Sequence, residues 1–113
     1  MTAPTDIIAR LESATGSNFK LDWDIHRMFD PKHAERFDIP PNYTSSLDAA
    51  IALCERVLPG WAWRVTRKVN GDFSASMHGD IMRGEYAEGE HQSTPAIALT
   101  LAASRAMAAK EGE

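Results

Sequence analysis

The sequence predicts an α+β fold, in which a three-stranded antiparallel β-sheet is packed by helices in the order α-β-β-β-α after an N-terminal helical extension. Helix-start patterns at Ser45 and Thr94 enclose the second half of the chain. Between them, residues 61–68 alternate as in a strand, and Asn70-Gly71 is typical of a hairpin turn. The length of 113 residues, with 43% hydrophobic and 25% charged residues, suits one domain with one core.

Residues 1–42 are predicted to form a helical extension packed on the core. Apolar residues at helical spacing indicate a first helix from about Pro4 to Ala14 and a shorter one from Leu21 to Phe29. The second helix should end at Asp30-Pro31, because proline disfavours a helical residue before it. We expect residues 30–42 to form an ordered loop, since their aromatic and aliphatic side chains would be costly to leave in water.

Residues 43–113 are predicted to form the αβββα sandwich, which begins with a helix. Ser45 is placed as its N-cap, with Asp48 as the acidic partner of a capping box. Pro59-Gly60 should end the helix. Along this helix, four residues at helical spacing form one apolar stripe: Leu47, Ile51, Cys54 and Leu58.

Three strands should follow. The first covers residues 61–68, with Trp61 and Trp63 on a core-facing side that they share with Val65. At the Asn70-Gly71 turn both positions are expected to have positive φ. The remaining strands are predicted at residues 73–78 and at about 82–87, separated by a turn at Gly79-Asp80.

The last helix is predicted from Pro95 to about Ala109, with Thr94 as N-cap and residues 110–113 frayed. It is rich in alanine, and small side chains let a helix lie close to a sheet. We expect this helix and the one at 45–58 to cover one face of the sheet. The N-terminal helices should then pack on the sheet edge or on its other face.

Composition argues against several classes of protein. Sixteen acidic and twelve basic residues give a net charge of −4, which disfavours general affinity for nucleic-acid phosphates. Cys54 is the only cysteine, so no intrachain disulfide can form. The first residues lack the regions of a signal peptide, and no apolar run approaches the roughly 18 residues of a membrane span. We therefore expect a cytoplasmic protein.

Short motifs along most of the chain resemble the phage ABA sandwich domain family of small phage and prophage proteins. They read YTSSLDAA at 43–50, LPGWAW at 58–63, TPAIAL at 94–99, and IARLESATG at 8–16 with Leu-Asp at 21–22. The resemblance implies an α/β sandwich, a phage or prophage origin and a bacterial host. It supplies no catalytic residues, and residues 27–38 depart from the usual pattern.

Candidate metal and nucleophilic groups are weak in this sequence. The histidines lack the paired spacing of a metal site and are expected on the surface, so we predict no metal and no cofactor. Cys54 lies in an apolar stripe, which favours a buried, inert thiol over a nucleophile. The most basic stretch is divided between two strand faces and comprises Arg64, Arg67 and Lys68, with Arg56 nearby. The histidines are His26, His33, His78 and His91.

An acidic cluster is the tentative binding surface, and it comprises Asp80, Glu85, Glu88 and Glu90. These carboxylates have two interpretations. They form a solvated sheet edge that discourages pairing with other sheets, or an acidic surface that meets a basic partner.

We expect a non-enzymatic accessory protein that acts by binding another protein, as a monomer or homodimer, with no membrane and no direct nucleic-acid contact. The alternative is an acidic inhibitor of a host nucleic-acid-handling or defence complex, which would occupy a cationic groove as anti-CRISPR proteins do.

Overall fold

A computed structural model describes residues 4–16, 18–29, 40–91 and 94–111. In chain order its elements are helix α1 Pro4–Ser13, helix α2 Phe19–Phe29, helix α3 Leu47–Val57, strand β1 Ala62–Arg67, strand β2 Phe73–His78, a 3₁₀ turn Ile81–Arg83, strand β3 Tyr86–His91 and helix α4 Pro95–Glu111. The predicted loop at 30–42 lies largely outside the described residues, as do the last two residues of the chain.

The three strands form an antiparallel meander in the order β1-β2-β3, and helices α3 and α4 cover one of its faces. This confirms the predicted α+β fold class. Buried side chains from β2, α3 and α4 make up the core beneath the sheet, among them Met77, Cys54 and Leu99. Thr94 caps α4 as predicted, since its Oγ1 accepts from the backbone N–H of Ile97 at 2.9 Å.

Strand β3 lies unusually close to α4, and Gly89 makes this approach possible. A Cβ at Gly89 would fall 2.3 Å from the carbonyl oxygen of Ala98 and 2.7 Å from the backbone nitrogen of Ala102. The alanines of α4 and the glycine of β3 therefore allow the two backbones to approach each other closely.

The N-terminal helices pack on α4 and not on the sheet. Ile7 and Leu11 of α1 share a buried cluster with Leu53 of α3 and Leu101 of α4. Residues 96–104 of α4 are all buried. A helix that is apolar all round is stable only when it is covered on both sides. The expected position on the sheet edge or its other face is therefore wrong: the layers run sheet, then α3 and α4, then the N-terminal helices.

The position of the third strand was predicted incorrectly. Residues 81–83 form the 3₁₀ turn, and β3 begins only at Tyr86. The Asp80 carboxylate accepts from the backbone N–H of Met82 at 3.0 Å, and Gly84 has φ of +71°. These two local preferences favour a turn over a strand.

One helix cap and one hairpin turn also differ from expectation. Ser46, and not Ser45, caps α3, with its Oγ accepting from the Ala49 N–H at 3.2 Å. At the hairpin only Gly71 has positive φ, and its N–H donates to the Lys68 carbonyl at 3.0 Å. The connection is a three-residue loop closed by a glycine, which is the next most common hairpin type.

The tryptophans divide between core and surface. Trp61 packs against the core, lying across Gly79 so closely that a Cβ there would come within 2.5 Å of its ring. Trp63 points to the helix-covered face but is 38% exposed, because β1 lies at the edge of the sheet. The prediction that both tryptophans lie in the core is therefore wrong for Trp63. Trp23 is partly exposed, with the Arg27 guanidinium 4.8 Å from its ring centre.

Candidate functional site

The candidate site is the face of the sheet opposite the helices, which we call the outer face. The strand registers place its residues directly opposite one another, because side chains alternate between the two faces of a strand. The described helices pack on the other face. The outer face consists of Ala62, Arg64 and Thr66 on β1, Lys68 just after it, Ser74, Ser76 and His78 on β2, and Tyr86, Glu88 and Glu90 on β3.

Side-chain hydrogen bonds organise one half of the outer face. The ring of Tyr86 lies 5.0 Å from that of His78, and its hydroxyl donates to the Glu88 carboxylate at 2.5 Å. The other His78 contact is with Ser76, whose Oγ lies 2.8 Å from Nε2. Tyr86 is nevertheless 51% exposed. The result is a pre-arranged aromatic and polar surface that water can reach.

Charges of both signs occupy the other half. The Lys68 ammonium donates to the Glu90 carboxylate at 2.9 Å, and the contact raises the pKa of Lys68 and lowers that of Glu90. Across the sheet, Arg64 extends from β1. Together with Glu88, these groups give the outer face a formal charge of zero. A shallow depression of about 230 Å³ is lined by Arg64, Glu88 and Glu90 with neighbouring residues of the outer face.

Two groups on the outer face, Tyr86 and Glu90, have pKa values shifted away from neutral pH. The hydrogen bond to Glu88 raises the pKa of Tyr86, and the Lys68 contact lowers the pKa of Glu90. Each of these shifts moves the pKa further from pH 7, whereas a general acid or base works best when its pKa lies near the operating pH. The outer face therefore exposes charged and hydrogen-bonding groups to solvent.

The structure does not bring the four predicted acidic residues together into one surface. Glu88 and Glu90 lie on the outer face. Asp80 and Glu85 instead organise the turn before β3, where a Glu85 carboxylate oxygen accepts from the Asp80 backbone N–H at 2.8 Å. The Asp80 carboxylate is itself bonded to the turn.

The histidines have separate environments. His26 is buried, contrary to the expectation of a surface position, and its Nδ1 lies 3.1 Å from the hydroxyl oxygen of Tyr43. The Arg56 guanidinium donates to the same oxygen at 3.1 Å. His33 lies outside the described residues, and His91 ends β3. No group of three or more potential metal ligands occurs among the described residues.

Cys54 and Asp22 are two further buried groups with structural contacts. Burial raises the pKa of the Cys54 thiol to about 12, so the predicted buried thiol is confirmed. Asp22 is buried and accepts from the backbone N–H of Thr44 at 2.9 Å, which ties α2 to the segment before α3. Burial raises the pKa of Asp22, against the opposing effect of this hydrogen bond.

Arg105 is a residue that sequence reasoning missed. Its guanidinium donates to the backbone carbonyl of Glu88 at 2.8 Å and to the carboxylate of Glu12 at 2.6 Å. These contacts join α4 to β3 and to α1. They span 17 and 93 positions, so no local pattern in the sequence could have indicated them.

Comparisons with known proteins add no family: models of protein families, curated proteins and solved structures all give no match to this chain. Among the described residues, we find no helix with the length and apolar character needed to cross a membrane.

Proposed function

We propose that this is a non-enzymatic accessory protein that binds another protein through the outer face of its sheet. The observation that carries the proposal is the exposed, pre-arranged group of Tyr86, His78 and Glu88 on a face that the described helices leave uncovered. Tyrosine is enriched in protein interfaces, since its ring buries a large area and its hydroxyl still makes a hydrogen bond.

A phage or prophage origin is part of the proposal and has a separate basis. It rests on the motif resemblance alone, which extends over both ends of the αβββα unit. It makes a bacterial host lysate the appropriate source in which to look for the partner.

The experiment is affinity capture from a bacterial host lysate at low and at moderate salt, with quantitative mass spectrometry. We expect one stoichiometric partner that is retained by the wild type and reduced at least about tenfold by Tyr86→Ser, in keeping with the cost of removing a central interface aromatic. Phe19→Ser is the matched control, because Phe19 is an equally exposed aromatic, 58% accessible, on the N-terminal helices. Equal capture by wild type and Tyr86→Ser would refute a role for the outer face.

The acidic-inhibitor alternative draws its support from Glu88 and Glu90, which are both exposed on the outer face. It is the weaker candidate, because Arg64 and Lys68 share that face and balance its charge. The double variant Glu88→Lys and Glu90→Lys discriminates between the two. Mimicry of nucleic acid requires that it abolish capture at low salt and that added nucleic acid compete with the wild type.

A further inference from the structure

The outward edge of β1 presents unpaired backbone groups. The Lys68 N–H donates to the Asp72 carbonyl, so residues 68 and 72 form a hydrogen-bonded pair of the β1–β2 ladder. Hydrogen-bonded pairs alternate along an antiparallel ladder. The backbone N–H and C=O groups of Trp63, Val65 and Arg67 must therefore point away from β2. In the described part of the chain no strand lies on that side.

At the other edge of the sheet, one outward carbonyl is bonded to a side chain of α4. Gly79 donates its N–H to the Glu85 carbonyl, and the same alternation directs the Glu88 backbone groups away from β2. Arg105 occupies the Glu88 carbonyl at 2.8 Å. Charged side chains at an edge and helices that cover it both discourage strand addition, so this contact opposes pairing at Glu88. The two edges thus differ: among the described residues, a helix side chain bonds to an outward carbonyl of β3, whereas none bonds to the outward backbone groups of β1.

The charge of β1 indicates which kind of strand would pair with it. Arg64 and Arg67 are both exposed, and residues 61–69 contain no acidic residue. Within the described residues neither guanidinium reaches a carboxylate. A second β1 strand would bring only more positive charge. An acidic strand would be complementary to it, since opposite charges on neighbouring strands stabilise their pairing.

We propose that the β1 edge binds an extended acidic segment of a partner protein, which adds as a fourth strand. This rests on the proposed protein-binding function and specifies the partner's chemistry. Arg64 and Arg67 lie three positions apart, so their side chains project from opposite faces of the sheet. The partner segment therefore carries two carboxylates three positions apart, with apolar residues facing Trp63 and Val65.

The test uses a synthetic peptide, Thr-Glu-Thr-Val-Glu-Val-Thr, titrated into the ¹⁵N-labelled full chain and followed by NMR. In antiparallel register its glutamates face Arg67 and Arg64. We expect shifts and slowed hydrogen exchange at the outward amides of Trp63, Val65 and Arg67. The control peptide, Thr-Glu-Val-Glu-Thr-Val-Thr, has the same composition with glutamates two positions apart on one face, and should bind more weakly.

Variants separate the backbone contribution from the charge. Arg67→Ala and Arg67→Pro both remove the guanidinium, but only proline removes the outward N–H, so Arg67→Pro should bind about fivefold more weakly than Arg67→Ala. Arg64→Glu should weaken binding at least about tenfold at low salt. Arg83→Glu, an exposed arginine on the 3₁₀ turn, is the charge control and should bind as the wild type does.

The outcomes distinguish this inference from the proposed function. No amide shifts, equal binding of the two peptides, or shifts confined to the outer face around Tyr86 would overturn the β1 inference. The Tyr86-dependent capture of a partner would then still stand. If capture fails but the peptide slows exchange at Val65, strand addition is supported and the outer face is not.

Discussion

Gly89→Ala tests the close approach of β3 to α4, on which the layer arrangement depends. The new Cβ would lie 2.3 Å from the Ala98 carbonyl oxygen and 2.7 Å from the Ala102 nitrogen. Both atoms belong to the helix backbone and cannot rotate away. The helix and strand must separate by roughly 1 Å to restore ordinary contact, and overpacking of this kind costs about 3 kcal/mol at the upper end of its range.

The expected net loss is smaller, because alanine also reduces the entropy of the unfolded chain by about 0.7 kcal/mol. We therefore expect Gly89→Ala to lower the free energy of unfolding by about 2 kcal/mol. With an unfolding entropy of about 240 cal/mol/K for a domain of this length, the melting temperature should fall by roughly 9 °C.

Far-UV circular dichroism during thermal and urea unfolding measures both quantities. Gly16→Ala is the matched control, since nothing lies within 4 Å of its added Cβ and Gly16 does not have positive φ. Its stability should stay within about 0.5 kcal/mol of the wild type. If Gly89→Ala unfolds at the same temperature as Gly16→Ala, the close packing of β3 on α4 is refuted.

Two further predictions concern a buried carboxyl group and the β3 edge of the sheet. Burial raises the pKa of Asp22, so the folded protein holds a proton that the unfolded chain has lost, and stability falls as pH rises from about 4 through the folded pKa. Asp22→Asn keeps an acceptor for the Thr44 N–H but cannot titrate. The free energy of unfolding of this variant, measured in urea across the same pH range, should therefore no longer decrease with pH on account of residue 22. A variant with the same pH dependence as the wild type would contradict the prediction. Arg105→Ala removes the hydrogen bond to the outward Glu88 carbonyl, so another strand can pair there more easily. Sedimentation velocity should show more concentration-dependent association for Arg105→Ala than for the wild type, and no increase for Arg83→Ala.

Local signals explain what could be predicted of the fold. Thr94-Pro95 marks the start of α4 because a hydroxyl cap and a fixed φ act within one turn of helix. The segment around Asn70-Gly71 likewise forms a turn, although by a different loop type. Such features depend on residues that are neighbours in the chain, so they can be predicted from the sequence alone.

The third strand was misplaced because its inner face lacks large apolar residues. Ala87 and Gly89 face the core, and both are small because α4 lies against them. Their outward neighbours, Glu88 and Glu90, are charged. A strand composed of small and acidic residues has no hydrophobic alternation to detect, so its position is determined by tertiary packing.

The candidate site was only partly predictable for a related reason. Whether an acidic side chain faces solvent depends on strand register, and a shift of one residue moves every side chain to the other face. Glu88 and Glu90 lie on the edge strand β3, beyond the bounds of about 82–87 that the sequence predicted for this strand. Asp80 and Glu85 are bonded within the turn instead. The contribution of Tyr86 and His78 required the pairing of β2 with β3.

The unequal edges bring the proposals together. A sheet with two accessible edges can extend by repeated addition of copies, and on the β3 side Arg105 bonds to one of the outward carbonyls that such addition would use. On β1, Arg64 and Arg67 oppose pairing with another β1 because like charges on neighbouring strands repel. The same charges attract an acidic strand, and its side chains on one face would extend the outer face beside Arg64. Strand addition at β1 and contact with Tyr86 are thus compatible with one partner that covers the outer face from its β1 edge.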